Sequence, residues 1–251
     1  MAIATSTNKI SIQIAGENAL IIYFSEQTSC DVLVQVQQAE RLVRQHMRQD
    51  IIDVVPSYAS LLVMFNILTT DHHKVRNRLR DLLKDIENTV GNTEQPNNLL
   101  HSSIIELPVY YSTESGPELS IIANVNNLTI EQVIEIHQQQ EYRVYAIGFA
   151  PGFAYLGEVD KRISAPRLIT PRMKVPKGAV AIADKQTAVY PSASPGGWNI
   201  IGLCPINMFD INAIPPMSVK VGDKVKFKAI DQNEYLALGG TLAALTWNAP
   251  V

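Results

Sequence analysis

Between Lys161 and Lys177 the chain carries six cations, Lys161, Arg162, Arg167, Arg172, Lys174 and Lys177, and no acidic residue. Three of them follow a proline directly at intervals of five: Pro166-Arg167, Pro171-Arg172 and Pro176-Lys177. An arginine presents two parallel N–H donors that match the two oxygens of a carboxylate or phosphate. Each proline fixes its own φ and pushes the preceding residue toward extended backbone, so these cations ride on a stiffened loop. A loop already held in shape loses less entropy when it closes on an anion. The other reading of the same residues is a solvated basic loop between two strands.

A second cluster follows in "QTAVYPSASPGGWNIIG". It joins Gln186, Thr187 and Tyr190 to the turn Ser194-Pro195-Gly196-Gly197-Trp198. Gly196 and Gly197 allow a ligand close to the backbone, and the Trp198 indole offers a broad apolar face with one donor. A tight turn capped by a packed tryptophan explains the same residues. His137, near the end of a predicted helix, has an ordinary pKa of ~6.5 and suits general acid or base work, or a cap or packing role.

Other chemistries find no support. Gly152 and Gly157 have the separation of a phosphate-binding P-loop, but Glu158 stands where that motif needs a lysine. No G-x-G-x-x-G, H-E-x-x-H or G-x-S-x-G run occurs. His72-His73 has no third ligand at helical spacing, so no metal is expected there. Cys30 and Cys204 lie far apart without a C-x-x-C pair, which reads as reduced, structural thiols.

The elements that must position these residues fall into two textures. "KISIQI" alternates at strand period and, across the Gly16-Glu17-Asn18 turn, forms a predicted hairpin with "ALIIYFSE". From Ser29 the apolar residues Val32, Val36, Ala39, Val43 and Met47 repeat every three or four, as in an amphipathic helix. "IIDVVP" and "SLLVMFN" read as strands, and a second helix from about His72 carries Val75, Leu79, Leu82, Ile86 and Val90. Strands flanking two helices suit an α+β domain of ferredoxin-like type over residues 1–92. The polar stretch Gly91–Asn98 reads as the linker. Over residues 99–251 the strand "SIIELPVYY" and the helix "LTIEQVIEIHQQQ", with Thr129 and Gln132 at capping-box spacing, precede short apolar runs broken by glycine and proline. That pattern predicts a β-barrel domain.

The 251 residues are 46% hydrophobic and 18% charged, with a net charge of −3. This is an ordinary globular balance, and it lacks the basic excess of a nucleic-acid binder. No cationic start with an apolar run and no stretch of ~18 apolar residues is present, so no membrane segment is predicted and a cytoplasmic location is expected.

The run "YRVYAIGFAPGFAYLGEVDKRISAPRLITPRMKVPKGAVAIADKQTAVYPSASPGGWNIIG" strongly resembles the B subunit of bacterial ATP-dependent 5-oxoprolinase. The same family is known as allophanate hydrolase subunit 1 and includes the sporulation kinase A inhibitor. "NALIIYFSE" and "VVPSYASLLVMFN" extend the likeness to the amino-terminal part. The resemblance implies a ferredoxin-like domain followed by a cyclophilin-like barrel. It also implies A and C partner subunits, ATP as co-substrate bound by or shared with the complex, and conversion of 5-oxo-L-proline to L-glutamate. On this basis Phe149, Phe153 and Tyr155 of "GFAPGFAYLG" join Arg167, Arg172, Lys177, Gln186, Thr187, Tyr190, Gly196, Gly197 and Trp198 around a substrate anion. Arg172 and His137 are the expected catalytic groups, and Arg172→Ala is expected to depress turnover without unfolding the chain. The sequence departs from the family pattern at Asp184-Lys185, where a Gly-Gly is usual, and at Leu203, where an arginine is usual. Family membership also allows a module that inhibits a sensor histidine kinase, or a subunit in urea or allophanate metabolism.

Overall fold

The computed structural model describes residues 10–88 and 104–242, which divide into two compact units, 1–101 and 102–251. The predicted linker Gly91–Asn98 and Val90 lie outside the described residues.

In the first unit β1 (Ser11–Gly16) and β2 (Ala19–Tyr23) form the expected hairpin, followed by α1 (Cys30–His46), β3 (Ile51–Ser57), β4 (Ser60–Phe65) and α2 (His72–Asn88). All strand pairs are antiparallel, in the order β1-β2-β4-β3. Ser29 starts α1 by accepting from Val32 N at 3.2 Å, which satisfies one of the free donors of the first turn. The stripe Val32, Val36, Ala39, Val43 and Met47 is buried against Leu20, Ile22, Leu61, Val63 and Phe65 of the sheet. On α2 the buried stripe is Val75, Leu79, Leu83 and Ile86, with the predicted Leu82 at its margin. A helix turns 100° per residue, so the two adjacent leucines compete for one edge of the stripe and the tertiary packing decides between them. The described order is ββαββα, whereas the predicted type ends on a strand after its second helix; the amino-terminal strand β1 takes the sheet edge instead.

The second unit contains β5 (Ile104–Tyr110), α3 (Leu119–Val125), α4 (Ile130–Gln139), β6 (Glu141–Ile147), β7 (Ala154–Gly157), β8 (Arg172–Val175), β9 (Ala179–Ala183), β10 (Gln186–Val189), β11 (Ser194–Gly196), β12 (Asn199–Leu203), β13 (Lys224–Ile230) and α5 (Gln232–Ala237). Seven strands close a barrel in the order β10-β7-β6-β13-β5-β12-β9, which fits a cyclophilin-like barrel. Only β13 and β5 run parallel within it, over their full lengths. The capping box of α4 is formed on both sides, Gln132 N donating to Thr129 Oγ1 at 3.2 Å and Thr129 N to Gln132 Oε1 at 2.8 Å.

Alternation sorts the barrel residues into two apolar clusters. Leu107, Val109, Val180, Ile182, Val189, Val225 and Phe227 face inward together, while Lys224, Lys226 and Lys228 of the same β13 face out. On β9 and β10 the outward residues are Ala179, Ala181, Ala183, Ala188 and, just past the strand end, Tyr190, and they too are buried. What covers them is a two-stranded ribbon of β8 and β11 with the aromatic residues around it. The second of the three proline–cation positions therefore opens a short strand where a plain loop is predicted: Arg172 lies opposite Gly196 and Val175 opposite Ser194.

Candidate active-site groove

The outer face of β9 and β10 carries alanines, and the space above them is filled by aromatic rings. Phe153 is the hub, with ring centroids 5.3 Å from Phe149, 4.9 Å from Tyr155, 5.2 Å from Tyr190 and 5.7 Å from Trp198, all edge to face. Tyr155 and Trp198 lie 6.0 Å apart. Edge-to-face pairs at such separations place a positive ring edge on a negative face, so the cluster sets each ring's orientation as well as burying it. Phe149 stands at the rim, 68% exposed and at φ 70°, a conformation a bulky side chain adopts only when its turn is held. Hydrogen bonds from Gly148 N to Phe153 O and from Phe153 N to Ala150 O, both 3.0 Å, hold it. Gly152, at φ 82°, seats this turn on Met208 and Phe209, where a Cβ would lie 2.8 Å from the Met208 carbonyl oxygen.

Arg167 lies over the Trp198 ring, 5.8 Å from its centroid, and is exposed to solvent. The backbone that carries it is pinned at three points. Asp184 N donates to Ala165 O at 2.6 Å, the buried Asn199 amide donates to Pro166 O at 2.8 Å, and Leu168 N donates to Gly197 O at 2.7 Å. An exposed guanidinium on a fixed loop can meet the two oxygens of an anion without first ordering that loop. Tyr190 joins it from the end of β10: burial pushes its phenol up to about 12, opposed by the nearby Arg167 and Arg172, so the hydroxyl keeps its proton at neutral pH. Gly196 is required here, because a Cβ would overlap the Tyr190 hydroxyl.

Arg172 differs from Arg167 in kind. It is buried and forms an ion pair with Glu118, itself 3% exposed, at the start of α3. The other oxygen of Glu118 accepts from Ile200 N at 2.8 Å, and Glu118 N donates to Ile200 O at 3.1 Å. Arg172, expected as a catalytic and anion-binding group replaceable without unfolding, thus has its guanidinium paired with a buried carboxylate, and its replacement by alanine would leave that charge without its partner.

His137 and Thr187 lie on the other side of the barrel wall, in the interior. The imidazole is completely buried, 2.8 Å from Tyr111 Oη through Nδ1 and 3.1 Å from Thr187 Oγ1 through Nε2, and stacks on Phe227 at 4.5 Å. Tyr142 Oη donates to the His137 carbonyl at 3.0 Å. Burial lowers the His137 pKa to about 3, so the ring is neutral at physiological pH. The structure thus separates His137 from the arginines with which the sequence pattern groups it. Gln186 sits half-buried on the outward side of β10, in line with Tyr190. Lys177 stands exposed at the β8–β9 turn, and among the described residues no hydrogen bond or ion pair ties it to the aromatic cluster.

Two residues that hold this region are not evident from sequence. Glu118 of "SGPELS" gives only a helix-start signal, since its partner Arg172 is 54 residues away. Asn199 follows Trp198 inside an apolar run, and that lone amide is the only local sign that something has to be tethered.

The second unit is thus a closed barrel whose outer wall carries a packed aromatic cluster with the exposed Arg167 at its edge, and it is separate from the α+β unit. The family described as "Carboxyltransferase domain, subdomain C and D" matches residues 10–219, and the chain belongs to that family. It is 36% identical over 234 residues to the B subunit of 5-oxoprolinase from Bacillus subtilis (strain 168), a match spanning 92% of this chain and 97% of that one. Among solved structures, TTHA0988 superposes with a TM-score of 0.71 at 30% identity, covering 85% of this chain and 40% of that longer chain. The Kluyveromyces lactis urea amidolyase shares the fold, with a TM-score of 0.73 at 18% identity over 92% of this chain and 15% of that one.

Proposed function

We propose that the chain is the B subunit of a 5-oxoprolinase that opens 5-oxo-L-proline to L-glutamate with hydrolysis of ATP. The observation that carries this reading is the near full-length similarity to the corresponding Bacillus subtilis protein. The groove is consistent with it, since 5-oxoproline is a five-membered ring with an apolar edge and one carboxylate. In this reading Arg167 pairs with the substrate carboxylate, the ring lies against the exposed Phe149 and the half-buried Tyr155 at the edge of the aromatic cluster, and Gln186 and the Gly196-Gly197 backbone supply neutral polar contacts.

A lactam carbonyl is a poor electrophile because amide resonance protects it. Transfer of the terminal phosphoryl group of ATP to the lactam oxygen releases ADP; one water then adds to the activated carbon and the ring C–N bond breaks, leaving an acyl phosphate that a second water hydrolyses to L-glutamate and phosphate. The contribution of this chain is to hold the ring and its carboxylate in a fixed orientation. One exposed arginine fits a carboxylate better than a triphosphate, and the chain lacks a P-loop, so we assign the nucleotide to the partner A and C subunits or to a surface shared with them. The chain is then inactive alone and acts in the cytoplasm. We further propose that residues 1–92 form a ferredoxin-like domain whose edge strand comes from the amino terminus, followed by the barrel domain at 99–251.

The test is ADP release by this chain reconstituted with its A and C partners, with and without 5-oxoproline and with this chain omitted. Release that requires both is the expected result. Release indifferent to either refutes the reading and turns attention to binding of a sensor kinase.

A further inference from the structure

Arg167 is held by backbone contacts that lead to one buried acidic residue. Leu168 N is bonded to Gly197 O, and Pro166 O to the Asn199 amide. Gly197 and Asn199 flank Trp198, and the next residue, Ile200, exchanges two hydrogen bonds with Glu118. Gly196 pairs across the ribbon with Arg172, whose guanidinium meets the remaining Glu118 oxygen. One carboxylate therefore bonds both β12, the strand that leaves the Gly-Gly-Trp turn, and β8, the strand paired with β11. Gly116, two residues earlier, lies flat on Ile201, where a Cβ would overlap the carbonyl, so the loop bearing Glu118 is also fixed against β12.

We propose that Glu118 is a positioning residue for the groove: it sets the height of the β8–β11 ribbon and of Trp198, and through them the place of Arg167 relative to the bound carboxylate. The proposal rests on the substrate reading for its kinetic consequence, but its structural consequence is independent of that reading. A carboxylate serves two donors, the guanidinium and Ile200 N–H, with two acceptor oxygens. A glutamine has one acceptor oxygen and an N–H₂ group, so it cannot serve both donors and releases one of the two grips.

The experiment uses Glu118→Gln, Glu118→Asp and the double variant Glu118→Met/Arg172→Met. Each is made in a Trp247→Phe background, which leaves Trp198 as the only indole of the two in the sequence. In the reconstituted complex, Glu118→Gln is expected to raise KM for 5-oxoproline on the order of 10-fold while kcat changes by less than about 3-fold. In the isolated chain, Trp198 emission shifts to the red and acrylamide quenching rises. Glu118→Asp, which keeps both acceptors, recovers part of each effect. The double variant removes both buried charges, so it is expected to melt near the parent temperature while KM and emission stay perturbed. A double variant with parental KM and emission would make the pair purely structural and overturn the proposal, as would parental KM and emission in Glu118→Gln. If the parent complex shows no 5-oxoproline-dependent turnover, the substrate reading fails, and the emission and quenching of the isolated chain decide the positioning role by themselves.

Discussion

Replacing Arg167 by alanine separates a binding groove from a decorated surface. A hydrogen bond to a charged group contributes about 1.5–3 kcal/mol net, and each 1.4 kcal/mol is tenfold, so losing the carboxylate contact should lower kcat/KM by ~10- to 150-fold. The fold should hardly respond. Arg167 is exposed and meets the core through its contact over Trp198, and such a contact at an exposed site contributes about 0.5–1 kcal/mol, a few degrees of melting temperature in a unit of this size. Arg167→Lys retains the charge but not the two-donor fork, and should fall between the parent and alanine. The assay is ADP release by the reconstituted complex as a function of 5-oxoproline concentration, with melting of the isolated chain as the control. A value of kcat/KM for the alanine variant within about twofold of the parent would refute the carboxylate assignment, since an interaction of that kind cannot be removed with so little effect. A melting temperature lowered by more than about 8 °C would refute the view of Arg167 as an exposed group on a pre-formed loop.

Arg172→Ala should behave oppositely, costing about 3–5 kcal/mol of stability in urea unfolding because the Glu118 carboxylate is left buried without its partner; a loss under about 1 kcal/mol would contradict the pairing. His137 predicts a pH dependence. Its folded pKa lies below the unfolded one, so its stability contribution is complete above about pH 6.5 and is lost as pH falls toward 3, at up to about 1.4 kcal/mol per pH unit. His137→Gln should flatten the fall in urea midpoint between about pH 6.5 and 4.5, and an equal slope in both proteins would argue against a neutral buried imidazole. Thr129→Ala removes one side of the α4 capping box and should cost about 1 kcal/mol in the same unfolding assay without altering Trp198 fluorescence.

The parts of the architecture that are legible in the sequence are those fixed by short-range physics. The α1 stripe from Val32 to Met47, the hairpin around Gly16 and the capping box at Thr129 each depend on residues within a few positions of one another, and each forms as read. The strands β6, β9, β10, β12 and β13 are visible as apolar runs for the same reason. The β8–β11 ribbon is not, because strands three or four residues long beside prolines have no periodicity to detect, and their pairing joins residues about twenty positions apart. The two arginines of the proline–cation repeat are indistinguishable by type and spacing. They are distinguished by Glu118, which reaches Arg172 and not Arg167, and by Asn199, which holds the Arg167 loop from below.

The same limit accounts for His137. Alternation along Gln186-Thr187-Ala188-Val189-Tyr190 is plain in the sequence, and it requires that Thr187 and Tyr190 face opposite sides of the sheet. What alternation cannot state is which side is the barrel interior. Alanines at 179, 181, 183 and 188 settle it, because a row of small side chains facing solvent would leave the wall thin, whereas the same row under aromatic rings makes a floor on which Phe153, Tyr190 and Trp198 pack. Bulk then belongs on the inner side, where Val180, Ile182 and Val189 fill the barrel and Thr187 meets His137. Enlarging one of those alanines to leucine would lift the rings and with them the groove, while leaving the interior contacts of His137 in place.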